Sequence, residues 1–152
     1  MGKRQLASPA SSYDTDFFEW TQETAELIRS GRLDEVDLEH VAEEIEDMGK
    51  RDRREVRSRL RVLIMHLLKW QVQPNHRSRP SWRATIDEQR NQLRLVLDDS
   101  PSLVRFVETQ LASIYPEAAR KAMNETGLAE GAFPELCPYS AEEILRRDFL
   151  PE

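Results

Sequence analysis

The chain has 152 residues, of which 33% are charged and 39% hydrophobic, and its net charge is −6. This size is that of one ordinary domain, and this balance is typical of amphipathic helices with solvated outer faces. The acidic balance disfavours wholesale binding to nucleic acid or anionic membranes, the single cysteine, Cys137, excludes an internal disulfide, and no apolar run approaches the roughly 20 residues that span a bilayer.

Residues 1–12, MGKRQLASPASS, are rich in Ser, Pro and Ala and are predicted to be a disordered lead-in. They lack the apolar segment of a signal peptide, so we expect a cytoplasmic protein without a membrane partner. Residues 13–152 are predicted to form a single all-α domain, a compact bundle of five to six helices.

The first helix is predicted from Tyr13 to Ser30. Asp14 or Asp16 can cap its start with a side-chain oxygen, and Gly31 can close it in the left-handed conformation. Its apolar face follows helical spacing. The residues predicted to face inward are Phe17, Phe18, Thr21, Thr24, Ala25, Leu27 and Ile28.

A short second helix is predicted to begin after Asp37 and to stop at Gly49. It is acidic, because residues 34–47 contain eight acidic side chains and no Lys or Arg, a local charge of about −8. Its apolar residues repeat at intervals of three, four and three. They are Leu38, Val41, Ile45 and Met48.

The central helix is predicted over residues 50–72. Its apolar residues step at intervals of four, three, four and three, which indicates a seam packed against another helix. The second half is apolar almost all round, which favours burial on most sides. The seam residues are Val56, Leu60, Leu63, Leu67 and Trp70.

Residues 50–61, the first half of that helix, carry seven basic side chains against two acidic ones. One interpretation is that this basic block pairs with the acidic block of the preceding helix, each exposed pair contributing about 0.2–1 kcal/mol. The alternative is an arginine face that binds an acidic partner or a nucleic-acid backbone, with an affinity that falls with salt. Its residues would be Arg53, Arg54, Arg57 and Arg61.

A fourth helix is predicted after Pro74 and the loop that follows, with Ser81 as its N-cap. Its inward face has a gap at the third step, which either Gln89 or Arg90 must fill. The apolar members of this face are Trp82, Ile86, Leu93 and Leu97.

A fifth helix is predicted to start with Ser100 as N-cap and Pro101 at its first position, and to end at Gly127. Pro116 should kink or split it, because proline removes one backbone hydrogen bond. Residues 128–139 read as an ordered strap over the core. The last helix is short and opens with a capping box formed by Ser140 and Glu143.

Catalytic signatures are absent from the sequence, so we expect neither a cofactor nor a metal. The nearest approach to a metal motif is His40, one turn from Glu43 and Glu44. A carboxylate di-metal bundle needs two Glu-x-x-His motifs, whereas here the order is reversed and occurs once. Cys137 reads as a small buried residue rather than a nucleophile.

His66 lies in the apolar half of the central helix, where an unpaired imidazole would cost more than about 1 kcal/mol, so it needs a partner. One interpretation is a core histidine bonded to a carboxylate or carbonyl, holding the turn between the third and fourth helices. The other is a pocket for an anionic or planar ligand. Trp70 and Trp82 would form its floor, with Lys69 and Arg90 beside His66.

Several segments resemble the bacterial domain-of-unknown-function family number twenty-nine, in its order and at its spacing from about Tyr13 to Glu152. The resemblance implies a small all-helical protein and supplies no activity or ligand. Polar positions that coincide with the family pattern and are not explained by caps are Glu44, His66, Lys69 and Arg90. The segments are YDTDFFEW, AEEIEDMGKRDRREVRSRLRVLIMHLLKWQVQP, SWRATIDEQR, DDSPSL, YPEAARKAMNETGL and FPELCPY.

Helix signals without catalytic signals favour a non-enzymatic module that binds another protein, or a second copy of itself, through an exposed helix face. A small-ligand or metal-binding enzyme that uses the His66/Lys69 and Glu43/Glu44 region is the alternative. Nucleic-acid binding by the four arginines is a third hypothesis, which the net charge disfavours.

Overall fold

The fold is given by a computed structural model that describes residues 9–152, with side chains from Ser12 onward. Its regular elements within that range are all helical, which confirms the all-α prediction. Within the same range, no helix combines the length and apolarity needed to cross a bilayer. The helices are α1 (Pro9–Thr15), α2 (Phe17–Arg29), α3 (Leu38–Val72), α4 (Arg79–Asp99), α5 (Leu103–Thr126) and α6 (Ala141–Leu145), with short 3-10 turns at Leu33–Glu35 and Glu130–Ala132.

The chain divides into two compact units. The first ends at Gly49, and the second covers Lys50–Glu152. The prediction of one domain over residues 13–152 stays a prediction. Residues 1–8, most of the predicted lead-in of residues 1–12, lie outside the described residues, and α1 begins within its last four.

Helix α2 has the caps that the sequence predicts, but not the predicted inner face. Asp16 accepts a hydrogen bond from the amide of Glu19 at 3.0 Å, and Gly31 closes the helix with a φ of +75°. The predicted helix from Tyr13 is divided, because Asp16 leaves the helical conformation. Its buried residues are Trp20 and Thr24, whereas the predicted inward residues Phe17, Phe18 and Ile28 are exposed.

Helix α3 begins as predicted, with the Asp37 side chain 3.3 Å from the amide of His40. The stop predicted at Gly49 is wrong, because α3 continues to Val72. A glycine inside a helix costs only about 1 kcal/mol relative to alanine, which does not end a helix that packing stabilises further on. Residues 38–47 of the acidic block and the whole basic block are therefore successive parts of one helix, and the predicted pairing of two adjacent helices is wrong.

The core of the second unit forms around the second half of α3. Four residues of the predicted seam, Val56, Leu60, Leu63 and Leu67, are fully buried, and Trp70 is partly buried against them. Helix α4 contributes the inward residues that its spacing predicts, and Arg90 fills the missing step. Its buried residues are Trp82, Ile86, Arg90, Leu93 and Leu97.

Two predicted N-caps are displaced. Helix α4 starts at Arg79 with Ser78 as its N-cap residue, not at Ser81, because Pro80 fits the first turn, where an amide has no helical partner. The N-cap residue of α5 is Ser102 instead of Ser100. Pro116 does not split α5, which continues to Thr126. Gly127 closes it as predicted, with a φ of +70°.

The strap of residues 128–139 is held by two tyrosines. Tyr115 donates to the carbonyl of Pro134 at 2.5 Å, and Tyr139 donates to Gln71 Oε1 at 2.7 Å. Ser140 then caps α6 by accepting from the amide of Glu143 at 3.1 Å, as predicted. These bonds fix the C-terminal segment against α3 and α5.

Candidate functional site

Lys69 is the buried cation of the region that the sequence singles out. Only 7% of the residue is exposed, and its Nζ donates to Glu125 Oε2 at 2.7 Å. The same nitrogen lies 4.7 Å from the ring centroid of Trp82, within the range of a cation–π contact. Sequence spacing could not indicate Glu125, because it lies 56 positions further along, on α5.

Trp82 and Trp70 cover the loop between α3 and α4. The ring of His76 stacks on Trp82 at 4.7 Å, and the guanidinium of Arg79 lies 3.6 Å from the centroid of Trp70. Arg79 also donates to the carbonyl of Pro74 at 2.7 Å. Each tryptophan therefore packs against a side chain of this corner, which stabilises the turn.

His66 is half-buried, and its Nδ1 is 2.9 Å from the carbonyl oxygen of Val62 in the same helix. Burial lowers the pKa of His66, and the nearby ammonium of Lys69 also lowers it. The expected bond to a carbonyl is confirmed. This bond stays within α3 and does not reach the turn.

Arg90 stabilises the C-terminal segment. Its Nε donates to the carbonyl of Ile144 at 2.8 Å, and one Nη donates to the carbonyl of Phe149 at 2.7 Å. These carbonyls lie at the end of α6 and beyond it, where helical partners are missing. The contacts of Arg90 thus explain its burial without a ligand.

Glu44, the remaining residue of the predicted ligand site, lies in the first unit. It accepts a hydrogen bond from the hydroxyl of Tyr13 at 2.7 Å, which raises the pKa of Tyr13 to about 12. The Tyr13 ring stacks on His40 at 3.9 Å, and His40 Nδ1 lies 2.5 Å from Asp37 Oδ2. Glu44 therefore joins α1 to α3 within the first unit.

Metal binding near Glu43 and Glu44 has no ligand set to support it. In residues 9–152, no three His, Cys, Asp or Glu side chains are placed to hold an ion together. His40 instead directs its Nδ1 to Asp37, and this hydrogen bond raises the pKa of His40. His40, which stacks on Tyr13 and bonds to Asp37, therefore links α1 to the start of α3.

Three of the four arginines predicted to bind an acidic partner contact residues of α5. Arg57 donates to Gln110, Arg61 donates to Glu117 at 2.9 Å, and the Arg53 guanidinium lies 5.3 Å from the ring centroid of Phe106. Arg54 is exposed. Of these four arginines, Arg61 is paired with a carboxylate, while the contacts of Arg57 and Arg53 with α5 leave their positive charge uncompensated.

Two surface depressions lie in the second unit. One, of about 440 Å³, is lined by arginines of α4 and by Arg147. Its lining also includes Arg83 and Asp87, which form an ion pair at 3.2 Å. The other, of about 500 Å³, lies between α5 and the strap, beside Tyr115 and Phe133. Arg90 lines the first of them, but His66, Lys69, Trp70 and Trp82 line neither. The predicted pocket therefore coincides with neither of these two depressions.

Helix α3 exposes an apolar surface in the first unit, formed by Leu38, Ile45 and Met48 and called here the α3 stripe. These residues are 64%, 63% and 61% exposed. Spacings of seven and three place them above one another on one side of the helix. The sequence predicts the same three residues on one apolar face of a helix. The described part of the chain shows them outward.

Among the described residues, ten large hydrophobic side chains are exposed, and seven of them lie within residues 9–49. Besides the α3 stripe they include Phe17 and Phe18 of α2. Single exposed hydrophobics are normal, whereas here they are concentrated in about a quarter of the chain.

A family model for a domain of unknown function, DUF29, matches residues 12–150. A solved crystal structure, that of an alpha-helical protein of unknown function from Rhodospirillum rubrum, is 29% identical in sequence, with a TM-score of 0.63. The alignment covers 90% of this chain and 90% of that chain. No curated protein matches the chain.

Proposed function

The chain belongs to the DUF29 family of domains of unknown function, and we propose that it is a non-enzymatic module that binds another protein. The observation that carries this proposal is the exposure of the α3 stripe and of the aromatic side chains of α2 within residues 9–49. Burying apolar area in a partner would release about 25 cal/mol per Å².

The stripe is an outward apolar face on a well-formed helix. Leu38, Ile45 and Met48 each leave more than half of their surface in water, although they lie in an ordered 35-residue helix. Removing such a face from water stabilises a complex without any catalytic group.

The small-ligand or metal-binding enzyme is the less favoured function. Lys69 is paired with Glu125, His66 with Val62, and Arg90 with the carbonyls of the C-terminal segment. Glu44 is bonded to Tyr13. These contacts satisfy the polar groups internally, and a ligand would have to displace them.

Site-specific photo-crosslinking tests the proposal. A photoreactive residue replaces Met48 in the full chain, and irradiation of expressing cells is expected to yield a discrete crosslinked protein. Addition of Ile45→Gln should remove that product, because it makes the surface next to the crosslinker polar. Leu95→Gln, which alters an exposed leucine on α4, should leave the product unchanged.

A second photoreactive position, at the exposed Leu136 of the strap, controls for random collision. Equal products from both positions, or no discrete product at Met48, would contradict an interaction role for this surface.

A further inference from the structure

We propose that the α3 stripe docks an amphipathic helix of a partner protein, with apolar residues on one face and basic residues beside them. This inference rests on the proposed interaction function and specifies its partner. The occupant is identified by two properties of residues 9–49, the apolar face and the charge around it.

Residues 9–49 carry thirteen acidic side chains and two basic ones, a net charge of −11 with histidines neutral. Two of the acidic residues, Glu39 and Glu46, are exposed and directly follow Leu38 and Ile45 in α3. A partner that carries Lys or Arg beside its apolar face would be drawn to this surface and aligned on it, whereas an acidic partner would be repelled.

The shape of the surface suits a helix. Residues 38–48 make three turns, about 16 Å long at 1.5 Å per residue. Beside the stripe, Ala42 and Gly49 are exposed, and a β-carbon built at Gly49 would meet no atom within 4 Å. Small side chains next to large ones let a second helix approach closely, since interaxial distance depends on the residues at the contact.

A second copy of the chain is the rival occupant. The spacing of Leu38, Val41, Ile45 and Met48, which is three, four and three, reads the same in both directions and would fit an antiparallel copy. That arrangement would bring two surfaces of charge −11 together, and like charges across an interface are costly. Charge complementarity therefore favours a basic partner over self-association.

The length of the basic part of the partner is limited by α3 itself. From Lys50 onward α3 becomes basic, with Arg51 and Arg54 exposed. A partner helix that aligns with residues 38–48 should therefore carry its basic residues over about three turns and not beyond.

Binding of synthetic peptides to the full chain tests the proposal. The probe is an 18-residue helical peptide with leucines on one face and lysines beside them, labelled for fluorescence anisotropy. It should bind, and both Ile45→Gln and Met48→Gln should weaken binding about tenfold. Glu39→Gln with Glu46→Gln should weaken it a few-fold and flatten its dependence on salt.

Leu95→Gln is the matched control, because it changes an exposed apolar residue outside the stripe, and it should leave peptide affinity unchanged. Circular dichroism and thermal unfolding confirm that each variant is folded. If Leu95→Gln weakened peptide binding as much as the stripe variants do, the peptide would not be binding at the α3 stripe.

Three results would overturn the partner assignment. The first is equal binding of a scrambled peptide with the same composition, the second is equal binding of an analogue with Glu in place of Lys, and the third is no binding of the basic peptide. Sedimentation velocity that shows a dimer abolished by Ile45→Gln would assign the surface to a second copy. A crosslinked protein at Met48 alongside any of these would leave the interaction function standing.

Discussion

At the scale of single residues, the Lys69–Glu125 pair is a contact whose loss should destabilise the fold. Glu125→Gln leaves a largely buried ammonium without its carboxylate, while the half-exposed position of Glu125 lets water replace part of the interaction. We expect the free energy of unfolding to fall by about 1–2 kcal/mol. Urea denaturation, monitored by circular dichroism, measures this change in the free energy of unfolding.

Glu108→Gln is the control, since Glu108 is an exposed acidic residue on the same helix, and it should change stability by less than about 0.5 kcal/mol. Adding Lys69→Met to Glu125→Gln should recover most of the loss, because the uncompensated charge is then gone. A loss that persists in the double variant would show that packing, not the charge, is responsible.

The three histidines of the chain include two whose pKa values shift in opposite directions. The bond to Asp37 raises the pKa of His40, and burial lowers that of His66. An NMR titration of the imidazole Cε1 protons should place His40 above, and His66 below, the ordinary value of about 6.5. Asp37→Asn should lower the pKa of His40, and the reverse order would contradict both assignments.

These shifts have opposite effects on stability. His40 stabilises the fold below its unfolded-state pKa, and that stabilisation is lost as pH rises through its raised folded-state pKa. His66 binds its proton less readily when folded, so its contribution is lost as pH falls below about 6.5.

Sequence reasoning identified polar residues better than it identified their partners. Arg90 was one of two residues predicted to fill the gap in the α4 face, because helical periodicity alone requires a residue there. Glu125 could not be recognised as the partner of Lys69, and the carbonyls that Arg90 binds belong to residues more than fifty positions away. Periodicity carries no information about such long-range contacts.

At the scale of elements, Gly49 and Gly127 make a matched pair. Gly49 lies inside α3 without a positive φ, and nothing surrounds its missing β-carbon, so Gly49→Ala should stabilise the protein by about 0.5–1 kcal/mol. Gly127 has a φ of +70°, so Gly127→Ala should destabilise it by about 1–2 kcal/mol. Thermal unfolding distinguishes the two.

If Gly49→Ala and Gly127→Ala changed the stability of the protein in the same direction, that result would contradict the geometry of α3. If Gly49 ended a helix in the left-handed conformation, as sequence rules predict, Gly49→Ala would also be destabilising. A glycine that follows a periodic segment indicates a helix end only when the chain beyond it does not continue the helix. Here the seam that starts at Val56 stabilises the continuation.

The inward face of a helix was predictable where a core exists and wrong where it does not. Apolar periodicity located the buried residues of α3 after Val56 and of α4. The same rule assigns Phe17 and Phe18 of α2 to an inward face, although the described structure exposes them. Periodicity identifies an apolar face, but whether that face meets a core or a partner depends on which other elements are present.

At the scale of the whole molecule, the two units differ in what stabilises them. Among the residues that the structure describes, the main core cluster draws only on those from Val56 onward, and the hydrophobic side chains buried before Gly49 are Trp20 and Val36. Residues 9–49 also carry a net charge of −11, whose mutual repulsion opposes compaction. Independent stability should therefore reside in the second unit.

A chain that begins at Lys50 should consequently fold, with a cooperative thermal transition and the near-ultraviolet signal of Trp70 and Trp82. Its core side chains would remain buried together, since the described members of the cluster all lie at or beyond Val56. A peptide of residues 9–49 should show partial helicity and no cooperative transition, because two buried hydrophobic residues offset little conformational entropy. Failure of the 50–152 fragment to unfold cooperatively would favour the single domain predicted over residues 13–152, whose core would then need both units.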